Sequence, residues 1–322
     1  MKLSLFKTEF PIMLAPMAGF TDMTYRSICR EHGCDFTFTE MISAKGLKYG
    51  GKSADLMETA PNERPCGIQL FGRDPDIMAE MARRICGENK GELALIDINM
   101  GCPAPKITGN GEGSALMKEP LTAARVIEAV AKAADLPVSV KFRKGWDSGH
   151  VNCVDFARMA EASGAAFVTI HGRTRDQMYS GAADWEVIAE AKAALSIPVI
   201  GNGDVTGGSS AIAMRDYTGC DGIMIARGAL GNPYVFQEVK AAFAGVPYAP
   251  PSNAERLDLA IAHVRGLVAH KGPHGVIEMR KHIAYYVRGM KGASAFRTAA
   301  TLAPTAEALI DLIEEYKDSI SE

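Results

Sequence analysis

Between Ile12 and Ala226 the chain repeats one unit eight times: a short apolar run rich in β-formers, then a longer amphipathic stretch. The runs are Ile12–Ala15, Phe36–Thr39, Gly67–Phe71, Leu95–Asn99, Val138–Phe142, Phe167–Ile170, Val199–Gly201 and Gly222–Ala226. They lack a clean two-residue alternation, which predicts strands buried on both faces, as in a parallel sheet. Helical patterns lie between them, including Pro75 to Ile85, Ala123 to Ala133 and Trp185 to Ala194. Asp74 is placed to cap the first of these, with Pro75 at its first helical position. Lys-Ala-Ala-Asp-Leu-Pro-Val at 132–138 is echoed by Lys-Ala-Ala-Leu-Ser-Ile-Pro-Val at 192–199. Eight such units in series favour a closed (β/α)8 TIM barrel over an open doubly wound sheet.

The chain has 322 residues, and a barrel typically takes ~250. The remainder predicts an appendage. A Gly/Pro-rich stretch, Ala244-Gly-Val-Pro-Tyr-Ala-Pro-Pro-Ser252, is the one clear boundary. The expected organisation is therefore a barrel over 1–243, a linker over 244–252 and a small all-helical domain over 253–322.

Composition narrows the class. With 47% hydrophobic and 23% charged residues, the chain has the profile of a soluble globular protein. No apolar run nears the ~20 residues of a membrane span, and Lys7 and Glu9 follow the opening Met-Lys-Leu-Ser-Leu-Phe too early for a secretory leader. Seven scattered cysteines include no Cys-x-x-Cys pair, which argues against a disulfide framework and a zinc site. A reducing, cytoplasmic setting is expected. Net charge is −3, but from His263 to Arg297 seven basic residues face Glu278 alone. That local excess predicts a polyanion-binding surface rather than a merely solvated helix face.

Barrel catalytic groups sit where strands end. Those positions here hold Met17 and Ala18, Glu40, Gln69, Asn99 and Cys102, Lys141 and Arg143, His171, Asn202-Gly203-Asp204, and Arg227-Gly228. Any one of them could be a satisfied structural polar group; their joint placement predicts an active site. Glycines follow strands seven and eight, the usual barrel phosphate pocket, and Arg227 could add a charged fork. The segment Gly101–Pro120 is long for a barrel loop and is expected to be a lid carrying Cys102 and Lys106. Cys102 lies between Gly101 and Pro103 at a strand exit, which favours a functional thiol there. The other six cysteines are expected to be core residues.

These residues resemble the bacterial, FMN-dependent tRNA-dihydrouridine synthase family over nearly the whole chain. The shared motifs are APMAGFTD at 15–22, TEM at 39–41, QLFG at 69–72, INMGCPAPK at 98–106, GSALM at 113–117, VKFRKGWD at 140–147, IHGRTR at 170–175, GNGD at 201–204, RGALGNP at 227–233 and RKHIAYY at 280–286. The resemblance implies reduction of the C5–C6 bond of tRNA uridines, with FMN bound and NADPH or NADH as reductant. It implies that Pro16, Met17 and Ala18 line the flavin, with Gln69, Lys141 and His171 at its polar edge. Asn202, Gly203, Asp204, Ala226, Arg227 and Gly228 would hold the ribityl chain and phosphate. Asn99 and Arg143 would address the uracil, and Cys102 would donate the proton. Lys106, Arg175 and the helical domain, with Arg280, Lys281 and His282, would grip tRNA. A segment at Thr108–Glu112 is acidic and glycine-rich where some relatives are more basic, which bears on the RNA contacts of the lid.

The chemistry is consistent with this. A cation such as Lys141 would stabilise an anionic reduced flavin, uracil must leave its stack to be reached, and a thiol of pKa ~8.5 is mostly protonated at neutral pH. The nearest rival is an FMN barrel reducing a free pyrimidine, as dihydroorotate dehydrogenases do; these lack a basic helical appendage. A flavin-free phosphate-binding isomerase or aldolase would need no cysteine acid, and a non-catalytic RNA-binding derivative would not keep Cys102, Lys141 and His171. The expected partner is tRNA, with no membrane and no metal, and the expected state is a monomer.

Overall fold

A computed structural model describes residue 6 and residues 8–321, the side chains of residues 52–54 and 321 excepted; the opening residues read above for a leader lie largely outside it. Eight parallel strands are present: β1 (Ile12–Leu14), β2 (Ile42–Ser43), β3 (Cys66–Phe71), β4 (Leu93–Met100), β5 (Val138–Gly145), β6 (Phe167–Thr174), β7 (Val199–Asn202) and β8 (Gly222–Ile225). Their order is β1-β8-β7-β6-β5-β4-β3-β2. Single bridges, Met13 to Phe36 and Phe38 to Gly67, carry the pairing from β1 to β3 and close the ring. This is a (β/α)8 barrel followed by a helical region.

The second strand differs from the sequence expectation. Phe36–Thr39 makes only those bridges, and a ladder forms further on, where Ile42 and Ser43 pair with Leu70 and Phe71. The rings of Phe36 and Phe38 fill the barrel floor beside Gly67, where a Cβ would fall 2.5 Å from the Phe38 ring. Asp74 caps the helix Pro75–Glu88 as expected, accepting from the amides of Asp76 and Ile77.

Strands alternate their side chains between two faces. On one face Ile96, Ile98, Val140, Phe142, Val168 and Ile170 enter the core beneath the helices. The other face points into the barrel and changes character along its axis. Its floor is Met13, Phe36, Phe38, Leu95, Phe167, Ile200 and Met224. Above these come Asp97, Ser139 and Thr169, then Asn99, Lys141, Arg143, His171 and Arg173. The alternation of apolar and polar residues is plain from Ile96 to Asn99 and from Val138 to Arg143, and it disappears at the floor, where both faces are apolar.

Beyond β8 the helix Val235–Ala244 ends at Gly245 with φ +66. The helix Asn253–Lys271 opens on a capping box between Ser252 and Glu255, and His274–Tyr286, Ala293–Leu302 and Ala306–Ser321 follow. This bundle lies tightly on the barrel. A Cβ on Gly231 would stand 2.4 Å from the Tyr285 backbone, and one on Gly266 2.6 Å from Thr24. The long loop after β4 is not an open lid throughout: Ala115, Leu116 and Met117 are buried, and Ser114 bonds back to the Cys102 carbonyl. No helix among the described residues is long and apolar enough to cross a membrane.

Candidate active site at the barrel mouth

At the C-terminal ends of the strands lies a cavity of about 1180 Å³. It gathers Pro16, Met17 and Ala18 after β1, Asn99, Cys102 and Lys106 around β4, Lys141 and Arg143 from β5, and His171 from β6. Asn202, Gly203 and Asp204 after β7 and Ala226, Arg227 and Gly228 after β8 complete the inner wall. Sequence reasoning assigned no role to Tyr179, Met178 and Tyr285 on the outer wall, and placed Arg288 in the basic stretch without placing it at this cavity. Tyr179 and Met178 sit on the loop after β6, whose length was the available signal; Arg288 and Tyr285 arrive from the helical bundle, and nothing in the local sequence shows that they reach the barrel mouth.

One hydrogen-bonded chain sets the geometry around Cys102. Asp97, fully buried, accepts from Ser139 Oγ at 2.5 Å and from Gln69 Nε2 at 2.7 Å. Gln69 Oε1 then accepts from Asn99 Nδ2 at 2.8 Å. That leaves Asn99 Oδ1 to receive the amides of Gly101 and Cys102, at 3.1 and 2.9 Å. A carboxylate can only accept, so each amide downstream has one orientation. Gln69 is wholly buried and lies behind the cavity wall rather than lining it.

Electrostatics make the floor a site for negative charge. Among the described residues Lys141 donates only to the side-chain Oδ1 of Asn202, at 3.1 Å. Arg143 donates to the carbonyls of Gly101, Thr174 and Met178. Among the described residues neither has a carboxylate within ion-pair distance. Burial, reinforced by Arg143, lowers Lys141 to about 8. Burial also lowers Arg143, to about 10. His171 is driven well below its ordinary value by burial and by four surrounding cations, so it is neutral. Burial raises the Cys102 thiol, partly offset by the Ala104 amide and nearby cations. It is therefore protonated at neutral pH.

The loops after β7 and β8 meet closely. Gly203 has φ +129, and a Cβ on Gly228 would fall 2.4 Å from the Val205 carbonyl oxygen. Asp204, also at positive φ, is spent on Arg173 at 2.8 Å and the Ala183 amide at 2.7 Å. It steadies the Arg227 guanidinium, at 3.4 Å and half-exposed, against the cavity rim. Glycine-permitted backbone plus an Arg held only by a 3.4 Å contact to Asp204 and by the Tyr179 ring at 4.7 Å, among the described residues, fits a phosphate.

The other expected RNA contacts divide. Lys106 is exposed and lines the cavity. Arg175 lies outside it, stacked over Trp146 at 4.7 Å. Lys281 is partly buried against Phe20 and Glu278, and Arg280 is partly buried, bonded to the Ala303 carbonyl. His282 is corrected outright: it is 1% exposed, enclosed between barrel and bundle, and cannot meet a polyanion at the surface.

Fold and site together define a (β/α)8 barrel with a cation-lined cavity at its mouth and a protonated thiol in the cavity wall. The sequence comparisons give the family. The model for "Dihydrouridine synthase (Dus)" matches residues 13–321, and the chain belongs to that family. It is similar to "Probable tRNA-dihydrouridine synthase 1" of Synechocystis sp., 41% identical over 288 residues, 89% of this chain and 80% of that protein. It is also similar to "tRNA-dihydrouridine synthase B" of Xanthomonas campestris pv. campestris, 40% identical with 96% and 93% covered. The Vibrio cholerae protein of that name is 37% identical with both chains fully covered.

Proposed function

We propose that this protein is a tRNA-dihydrouridine synthase, reducing the C5–C6 double bond of uridines in tRNA with FMN as its cofactor. The observation that carries the reading is the convergence of a protonated thiol, two buried cations with no carboxylate partner among the described residues, and a glycine-built anion cradle on one cavity, in a chain whose relatives bear that name. Bound there, FMN would supply the hydride to C6 of uracil, with NADPH or NADH as its source. Gly203, Gly228 and Arg227 would hold its phosphate, and Lys141 its negatively charged edge on reduction. Asn99 and Arg143 would orient the uracil, and Cys102 would deliver its proton to C5. The strandless residues 253–322 form the helical unit that, with Lys106, holds the tRNA so that one base enters unstacked.

The purified protein should be yellow, and heat should release FMN rather than FAD, identified by mass. With NADPH and tRNA transcripts it should form dihydrouridine, read by mass spectrometry of nucleosides. Recovery of no flavin after reconstitution, or of a flavin enzyme inert toward every tRNA, would overturn the reading.

A further inference from the structure

Away from the cavity, three titratable side chains meet in the seam between barrel and bundle. Asp22, His263 and His282 are 3%, 0% and 1% exposed, and one donor atom from each lies within 4.8 Å of the others. Asp22 follows β1 and caps the helix Met23–Glu31; the histidines come from the helices Asn253–Lys271 and His274–Tyr286.

The outer atoms of two of these groups are engaged. Asp22 Oδ1 accepts the Tyr25 amide at 3.1 Å, and His263 Nδ1 lies 3.2 Å from the Tyr286 hydroxyl. The inner atoms are not. Asp22 Oδ2, His263 Nε2 and both ring nitrogens of His282 are buried without a hydrogen-bond partner. The closest approach, His282 Nε2 to Asp22 Oδ2, is 3.6 Å, too long for a hydrogen bond. Buried polar atoms are nearly always satisfied, and three side chains that each turn an unpartnered atom toward a common point call for an occupant. The rings are also held: Tyr25 stacks on His263 at 5.3 Å and Phe20 meets His282 edge-on at 5.4 Å.

We propose that Asp22, His263 and His282 bind one zinc-class divalent cation, with water as a fourth ligand. Two imidazoles and a carboxylate are a zinc donor set, and outer hydrogen bonds that orient ligating groups are the usual support of such sites. Zinc ligands at ~2.0–2.2 Å from the metal stand roughly 3.3–3.5 Å apart, so the cluster needs only a modest contraction. A single buried water is the competing occupant of the same point, and the test below separates the two. Cysteine spacing in the sequence gives no sign of such a site, because its ligands come from three distant segments. The ion would staple the loop that carries Pro16–Ala18 to the helices that bring Tyr285 and Arg288 to the cavity. The assignment is independent of the uridine reading.

The test uses untagged full-length protein grown with added zinc and purified without chelator. Elemental analysis should find one zinc per chain, and replacement by Co2+ should give the intense visible bands of a tetrahedral nitrogen-oxygen site. His263→Gln and His282→Gln should each lose the metal, and dipicolinate should lower the Tm of the parent protein but not of the variants. A parent protein that holds no zinc and takes up no Co2+, or a metal that persists in both variants, overturns the site; the cluster is then a water-bridged ion pair. Should the variants fail to fold, the Co2+ spectrum of the parent protein decides alone.

Discussion

Cys102 and Lys141 face the same cavity, and burial acts on both in the direction of neutrality. For the thiol this preserves the proton that the reaction needs. Cys102→Ala should therefore leave flavin reduction by NADPH near the parent rate, while reoxidation by tRNA slows ~10²–10⁴-fold. Stopped-flow absorbance separates the two halves; reoxidation at the parent rate would place the acid elsewhere. For Lys141 burial has the opposite value, because its charge is wanted. Its pKa falls from 10.5 to about 8, so the folded state bears a cost for the ammonium that is present below about pH 8. Between about 8 and 10.5 the unfolded chain binds more protons, and this group's contribution makes stability rise with pH. A bound anion reverses the preference. FMN affinity should be flat below about pH 8 and fall by up to ~tenfold per pH unit above it, a dependence that Lys141→Met removes. Fluorescence titration of the flavin across that range is the measurement, and an unchanged slope in the variant would dissociate Lys141 from the anion. Polar residues at strand exits were legible in the sequence because a barrel interior has no packing need for them there. The roles of Gln69 and His282 were not. Whether a side chain is buried depends on what another element lays over it, and no local pattern records that.

At the level of elements, the loops after β7 and β8 depend on one another. The backbone at Gly228 passes so near Val205 that any side chain must separate the two loops. The obstructing atom is a carbonyl oxygen, which cannot swing aside as a flexible side chain could. Gly228→Ala should cost about 1–3 kcal/mol of stability, as overpacking does, and weaken FMN binding at least tenfold by opening the phosphate cradle. Thermal melts of the flavin-free protein and equilibrium titration with FMN report the two effects; parent-like affinity would remove Gly228 from the cradle. These loops were readable as glycines at the seventh and eighth repeats. Seven of the eight strands were readable too, within a few residues at their ends. The second strand was not, since its ladder forms at Ile42 and Ser43, beyond the apolar run Phe36–Thr39. The length of the stretch after Gly101 suggests a lid; its first part lines the cavity, while Leu116 and Met117 further on are anchored in the core.

For the molecule as a whole, the bearing question is how an acidic chain holds a polyanion. The bundle is not basic overall: residues 253–322 carry nine basic and nine acidic side chains. Nor is its basic stretch uniformly available, because Lys271 pairs with Glu278 at 2.8 Å and Arg280 is tied to Ala303. What the fold adds is placement. Lys106, from the loop after β4, and Arg288, from the bundle, are both exposed and both line the one cavity, from different elements. A tRNA delivering a base into that cavity brings its backbone past both. Removing the cation that meets one phosphate should flatten the dependence of log affinity on log salt by ~0.7–0.9. Lys106→Ala and Arg288→Ala should each show that change, and the double variant their sum, with NADPH oxidation by the flavin unaffected. Arg280→Ala should behave differently, lowering the Tm and leaving the slope intact, since its guanidinium serves the bundle. Fluorescence anisotropy of labelled tRNA across a salt series measures all four proteins. A double variant that retains the parent slope would mean that the RNA backbone avoids the mouth and that Lys106 and Arg288 are ordinary solvated cations.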